Sequence, residues 1–168
     1  AGTKGLDRVR PLATLAQAHT NAAAGDKIVF LPSHTQTLTA SQVFNKAGIS
    51  VESEGTETTR ARFVADGAID MFDVTARGVC FENIQFSAST TTPLTKIRVG
   101  ALGNQIVNCK FIGGPNDNGG AMLQYVTGAG QARISGTTFV SVSGSANPNN
   151  CALAAIEVVN AMNDLELD

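Results

Sequence analysis

Three aspartates near the middle of the chain, Asp66, Asp70 and Asp73, form its densest acidic group. Paired carboxylates can act as general acid and base in glycoside cleavage when they lie roughly 5 to 9.5 Å apart. Alternation along an extended strand places Asp70 and Asp73 on opposite faces, although a turn could unite them. We interpret the three as solvated turn residues, and catalysis by them is the alternative.

Two histidines are the other side chains suited to proton transfer. His19 lies on an alanine-rich helical segment, and His34 follows the first apolar strand in "LPSHTQT". Neither has a serine or cysteine partner at a recognisable spacing. We therefore interpret both histidines as structural, with a catalytic role as the alternative.

The three cysteines, Cys80, Cys109 and Cys151, are widely spaced and form no CxxC pair. This pattern predicts buried or half-buried thiols in a reducing compartment, with a zinc site as the weaker alternative. We assign no catalytic, metal-binding or cofactor-binding residue, and we expect no cofactor.

Two polar segments are candidates for contact with other molecules. A charged stretch contains Glu52, Glu54, Glu57, Arg60 and Arg62, and it is either a solvated surface or a contact patch for another subunit. The glycine-rich "GGPNDNGG" (residues 113–120) lacks the Lys-Ser/Thr of a phosphate loop, so we predict a surface loop, or a contact loop.

The composition limits the classes of partner. The net charge is −2 and only 15% of the 168 residues are charged, so we expect no nucleic-acid partner. No apolar run approaches 18 residues, so we predict no membrane span. The 17 glycines and the absence of tryptophan favour many short strands joined by tight turns. The length suits one domain, residues 1–168.

Secondary-structure signals place one helix before a long series of strands. Residues 9–24 carry Leu12, Leu15 and His19 at helical spacing, with Pro11 in the first turn and Gly25 as a possible end. From residue 26 to residue 168 we predict strands and turns, beginning with "DKIVFLPS".

Three stretches align on a phenylalanine and indicate an internal repeat. They are "GVCFENIQF", "GNQIVNCKF" and "GQARISGTTF", which end at Phe86, Phe111 and Phe139. Five residues earlier stand Phe81, Ile106 and Ile134; fourteen earlier stand Phe72, Ile97 and Tyr125; twelve earlier stand Val74, Val99 and Thr127. We therefore expect two strands and their corner to keep one register, with all insertions in a single outer loop.

Such a repeat predicts stacked coils, because one unit cannot bury its apolar face alone. Each strand would pair in parallel with the same strand one coil away, at about 4.8 Å. The corner residues Asn83, Asn108 and Gly136 are types that tolerate left-handed backbone. The same register pairs Asp73 with Arg98 across coils, and it stacks no two acids on neighbouring coils.

The C-terminal stretch "AAIEVVNAMNDLELD" fits the repeat in part. With Ile156 and Val158 in the upstream columns, Leu165 falls in the column of Phe81, while Leu167 breaks the corner pattern. The next phenylalanine would be residue 170. We therefore expect the last coil to be incomplete, either because the chain continues or because a partner covers the open end.

The opening "AAGDKIVFLPSHT" is similar to the "GD-x-I-x-L-x-P-G" phrase of pectate-lyase-like proteins, with Ser33 in place of the usual glycine. "GISVESEGTETTRARFVADG" resembles their second-coil phrase. The resemblance implies an all-β fold, a right-handed parallel β-helix with an N-terminal capping α-helix. Residues 9–24 would shield the open edge of the first coil.

The order of "AGDKIVFLPSHTQTLTA", "GISVESEGTETTRARF" and "IDMFDVTARGVCFENIQF" resembles β-helix repeat proteins of tailed bacteriophages. This resemblance implies a virion structural protein, a capsid decoration or cement module without catalytic activity, assembled in the host cytoplasm. It also implies a homotrimer, attached to the major capsid protein or another virion protein.

Two other functions stay open. A tail fibre or tailspike segment that binds host-surface glycan predicts exposed aromatic residues on a groove, whereas the Phe and Tyr residues here fall largely in interior columns. A polysaccharide lyase or hydrolase predicts at least two carboxylates that converge on one face.

Overall fold

Short strands make up nearly all of the regular structure. The computed structural model describes residues 11–89, 94–113, 121–140, 154–159 and 164–168, which contain one helix, α1 (Leu15–Asn21), and sixteen strands. The strands are β1 (Lys27–Phe30), β2 (Thr35–Leu38), β3 (Gln42–Phe44), β4 (Ser50–Ser53), β5 (Arg62–Ala65), β6 (Asp70–Val74), β7 (Cys80–Glu82), β8 (Gln85–Ala88), β9 (Thr95–Val99), β10 (Gln105–Val107), β11 (Lys110–Ile112), β12 (Ala121–Tyr125), β13 (Ala132–Ser135), β14 (Thr138–Val140), β15 (Ala154–Val158) and β16 (Leu165–Leu167). Residues 9 and 10 of the predicted helix, residues 114–120 of the glycine-rich loop, and Cys151 lie outside the described residues.

Each strand pairs in parallel with the strand three positions later, which produces three sheets. The first sheet has the order β1-β4-β7-β10-β13-β16, the second β2-β5-β8-β11-β14 and the third β3-β6-β9-β12-β15. One strand from each sheet makes a coil, so the first coil is β1–β3, the second β4–β6, the third β7–β9, the fourth β10–β12 and the fifth β13–β15. The predicted all-β fold class, a parallel β-helix with an N-terminal helix, is confirmed.

A phenylalanine stack runs through the interior of the second sheet. Phe86 pairs with Phe111, and Phe111 pairs with Phe139, as predicted. The ring centroids are 4.9 Å apart in both pairs. Phe63 extends the stack by one coil, since it pairs with Phe86 on β8. Phe63, Phe86, Phe111 and Phe139 therefore form one apolar column over four coils, and Gln36 of β2 occupies the same column on the first coil.

The predicted columns of the third sheet are correct for the second, third and fifth coils and wrong for the fourth. Phe72 pairs with Ile97 and Val74 with Val99, as expected. The next partners are Leu123 and Tyr125 respectively, so Tyr125 does not lie in the Ile97 column and Thr127 is not in the strand. Ile134 follows Tyr125 by two positions more than Ile106 follows Val99, although both pairs are direct partners, so the register shifts by two residues between β12 and β13.

The same shift corrects the register of the last strand. Leu167, and not Leu165, pairs with Ile134 and continues the interior column of the first sheet. Leu165 pairs with Ala132 instead. Ile156 and Val158 keep their expected columns, because they pair with Leu123 and Tyr125.

Left-handed residues form the corners of the coils, as predicted for Asn83, Asn108 and Gly136, which have φ values of 56°, 50° and 57°. Ser33, in the place of the usual glycine, is also left-handed, with φ of 63°. A second left-handed column lies between the third and first sheets: Gly25, Gly48, Gly78, Gly103, Gln131 and Asp164. Gly25 thus belongs to this corner and does not end the helix.

The helix is shorter than the predicted 9–24 and packs on the first coil. Thr14 is the N-cap, since its hydroxyl accepts a hydrogen bond from the Gln17 amide. Ala22 is already extended and ends the helix. Leu15 is fully buried against the core of the first coil. The helix therefore covers apolar side chains at the N-terminal end of the coils.

Candidate interaction surface

The three aspartates singled out by the sequence each accept a hydrogen bond from the third coil. Asp66 accepts from the Ser89 hydroxyl at 2.8 Å, and Asp70 accepts from the Thr95 hydroxyl at 2.7 Å. Asp73 lies 3.0 Å from the Arg98 guanidinium, which confirms the predicted ion pair. Each of the three carboxylates therefore links the second coil to the third.

The structure contradicts the expectation that no two acids stack on neighbouring coils. Glu52 and Glu82 are direct partners on β4 and β7, on the outward side of the first sheet. The Lys27 ammonium lies 2.8 Å from the Glu52 carboxylate, and both glutamates raise the pKa of Lys27. The predicted repeat begins at Phe72, so Glu52, which precedes it in the chain, has no place in its columns.

The charged stretch between Glu52 and Arg62 does not form one patch. Glu52 belongs to the first sheet and Arg62 to the second, and the loop between β4 and β5 separates them. In this loop the Arg60 side chain donates to the carbonyl of Glu57 and to the carbonyl of Asn108, at 2.8 Å. Arg60 therefore fastens the loop across the third coil onto the fourth.

Cross-coil ion pairs occur on two of the three outer faces. On the third sheet, Asp73 pairs with Arg98, and on the first sheet Lys27 pairs with Glu52. Further along the first sheet, Arg133 contacts both Glu166 and Asp168. Opposite charges on adjacent coils thus recur along both faces.

The second-sheet face differs from the other two because the outward positions of its described strands carry no acidic residue. We define this face by its outward ladder, which is Thr35, Arg62, Gln85, Lys110 and Thr138. The Arg62 Nε donates to the Ser87 hydroxyl at 3.0 Å. Two coil spacings separate Arg62 from Lys110, about 10 Å. The result is a flat strip with two cations and no anion in the same ladder.

The aromatic residues do not line a surface groove. The ring of Tyr125 is buried inside the coils, and burial raises the pKa of its hydroxyl. The described phenylalanines face the interior, and only Phe139 among them is partly exposed. This placement matches the expectation that the aromatic residues fill interior columns.

The two described cysteines match the expectation for unpaired thiols. Cys109 is buried, and its pKa is raised to about 12 by loss of solvent. Cys80 is half-buried on the first sheet, and burial raises its pKa as well. Within the described residues, no cluster of three or more His, Cys, Asp or Glu side chains could hold a metal ion.

The described part of the chain has no helix that is long and apolar enough to span a membrane. The sequence matches no known protein-family profile and no curated protein. The three parallel sheets define the class of the protein as a parallel β-helix, a fold that does not by itself imply a function.

Proposed function

We propose that the protein is a non-catalytic building block of a tailed-bacteriophage particle, a capsid decoration or cement module assembled in the host cytoplasm. The supporting observation is the second-sheet face, where Arg62 and Lys110 share a ladder that holds no acidic residue in the described strands. Catalysis needs groups that converge on one reacting centre, whereas a flat face with uncompensated charge suits a lasting protein contact.

The partner that this face fits is an acidic protein surface, which we assign to the major capsid protein. Carboxylates about 10 Å apart would match Arg62 and Lys110 across two coil spacings. The remaining positions of the ladder are Thr and Gln side chains, which can donate and accept hydrogen bonds at a wet interface. The homotrimer is part of this proposal through the resemblance to phage β-helices.

Purified phage particles provide the test. Mass spectrometry of separated heads and tails should find the protein in heads. Light scattering of the isolated protein should give the mass of a trimer. The isolated protein should bind heads that lack it, and binding should weaken as salt rises because the contact is ionic. Binding that is insensitive to salt would contradict the role of the second-sheet face.

Matched variants of basic residues test the role of the second-sheet face. Arg62→Gln and Lys110→Gln should each weaken head binding by about tenfold, which corresponds to one lost charged hydrogen bond. Arg77→Gln is the control, because Arg77 is exposed in the corner between the third and first sheets. Equal losses in all three variants would indicate a general charge effect and would contradict the assignment.

Two outcomes would favour the alternatives. Recovery in tails together with binding to host glycan would indicate a tail fibre or tailspike segment. Cleavage of a polysaccharide that disappears in Glu52→Gln and Glu82→Gln would indicate an enzyme, since these two carboxylates stack on neighbouring coils.

A further inference from the structure

The two histidines of the chain lie at the two ends of the contact between α1 and the first coil. His19, in the last turn of the helix, is 6% exposed and meets the Phe44 ring edge-on at 5.1 Å between centroids. Its Nε2 atom is buried without a hydrogen-bond partner. Neutral imidazole tolerates this site, whereas an imidazolium would bury an unpaired N–H donor and a charge.

His34 supports the first turn of the helix through Gln36. The Gln36 side chain accepts a hydrogen bond from the Leu15 amide at 2.9 Å. Burial lowers the pKa of His34, and the nearby Gln36 side chain opposes this lowering in part. That ring lies 4.8 Å from Phe30 and 6.1 Å from Phe63 between centroids, and its Nε2 is buried without a partner. Both ends of the helix contact thus include an imidazole in apolar surroundings.

No described acidic side chain contacts either imidazole ring, so a proton gained by His19 or His34 would not be compensated by a negative charge. Lys46 donates to the carbonyls of His19, Thr20 and Ala22, at 2.6, 3.0 and 2.6 Å. Its ammonium therefore lies beside His19 and acts on it by repulsion. The Asp26 carboxylate accepts from the Ala23 amide, beyond the end of the helix. The side chains that touch His34, from β1, β2 and β5, are uncharged.

We propose that α1 is an acid-released cap: protonation of His19 and His34 detaches the helix from the first coil and uncovers its end. Detachment removes Leu15 from the core and exposes the edges of β1–β3, which present unpaired backbone groups to another chain. Beyond the first coil, Phe63 of the second coil is the one ring of the described residues that lies against either imidazole. At low pH the released helix would therefore expose the edges of β1–β3 for assembly while the remaining coils stay folded.

The direction of the pH dependence follows from burial. Loss of solvent lowers the pKa of both histidines, and the Lys46 charge lowers that of His19 further. A released helix binds protons more readily than a docked one, so docking is complete above about pH 6.5 and weakens below it. For each histidine, the docking equilibrium constant falls by up to tenfold per pH unit in the range between its pKa in the released state and its lower pKa in the docked state.

Amide hydrogen exchange of the full chain tests the cap. Between about pH 7.5 and about pH 4.5, the protection of the Leu15, Ala18 and Ala22 amides should fall at least tenfold after correction for intrinsic exchange. The Gln105 and Lys110 amides, which donate to the Val79 and Ile84 carbonyls of the preceding coil, serve as the internal reference and should keep their protection. Equal loss at both sets of amides, or no loss at the helix, would overturn the proposal.

Matched variants separate protonation from simple loosening. His19→Phe with His34→Phe keeps the apolar packing and should abolish the pH response, whereas Lys46→Met should loosen the helix at every pH. A response that persists in the double phenylalanine variant would overturn the proposal. If that variant does not fold, NMR titration of the native histidines decides, because titration of either ring at or above the ordinary value would also overturn it.

Discussion

The Asp73 carboxylate on β6 and the Arg98 guanidinium on β9 lie 3.0 Å apart, directly opposite each other on neighbouring coils. The two side chains are 24% and 38% exposed respectively, so water and salt screen their attraction. The pair should therefore add little to the stability of the coils.

A double-mutant cycle with Asp73→Asn and Arg98→Gln should give a coupling energy of roughly 0.2–1 kcal/mol, measured by urea unfolding. The coupling should decrease at high salt. Asp73→Asn combined with Gln124→Ala is the control, since Gln124 lies two coils from Asp73 and should show no coupling. Coupling above 2 kcal/mol would mean that the pair is effectively buried.

The phenylalanine stack should contribute far more to stability. Phe111 is 0% exposed and stacks on both Phe86 and Phe139. Phe111→Ala should lower the free energy of unfolding by about 3–5 kcal/mol, because it removes a buried ring and leaves a cavity between two others. Lys110→Ala, the adjacent outward position, should change it by less than about 0.5 kcal/mol. Similar losses for the two variants would contradict the inward assignment of this column.

The sequence pattern predicted the coil architecture, but it could not fix the register throughout. Leu123 and Tyr125 both point inward, so a shift by two residues keeps every apolar side chain on the same face. Alternation therefore cannot reveal the shift of two residues between β12 and β13. The strand pairing decides between the two registers, because Tyr125 lies opposite Val99 and not opposite Ile97.

The candidate site was less accessible to sequence reasoning than the fold. The absence of acids from the outward ladder of the described second-sheet strands appears only when Arg62 and Lys110 are placed together, which requires the register of β5, β8 and β11. The burial of His34 depends on Phe63, which lies on the following coil. Both features result from contacts between residues far apart in the chain.

The loop between β4 and β5 should tolerate no side chain at Gly55. A Cβ there would overlap the Thr59 carbonyl, which is backbone and also accepts from the Ser33 amide. Gly55→Ala should therefore destabilise the protein by about 2 kcal/mol or more. Gly78→Ala is the control, with φ of +69° but no atom nearer than 3.8 Å, so only the left-handed strain of about 1 kcal/mol applies. A smaller effect at Gly55 than at Gly78 would show that the loop moves freely.

The two described cysteines should react at very different rates in a Cys151→Ser background. The pKa of Cys109, raised to about 12 by burial, leaves almost no thiolate near neutral pH, and its sulfur is covered by the coils. Cys80 is half-buried on the outer face of the first sheet, so it should react slowly with a disulfide reagent in the native protein. Cys109 should react only when the protein unfolds, and raising the pH from about 7 to about 9 should accelerate Cys80 alone. The reagent count should therefore be one thiol in native buffer and two in denaturant. Modification of both thiols at similar rates in native buffer would show that the coils around Cys109 open on the timescale of the reaction.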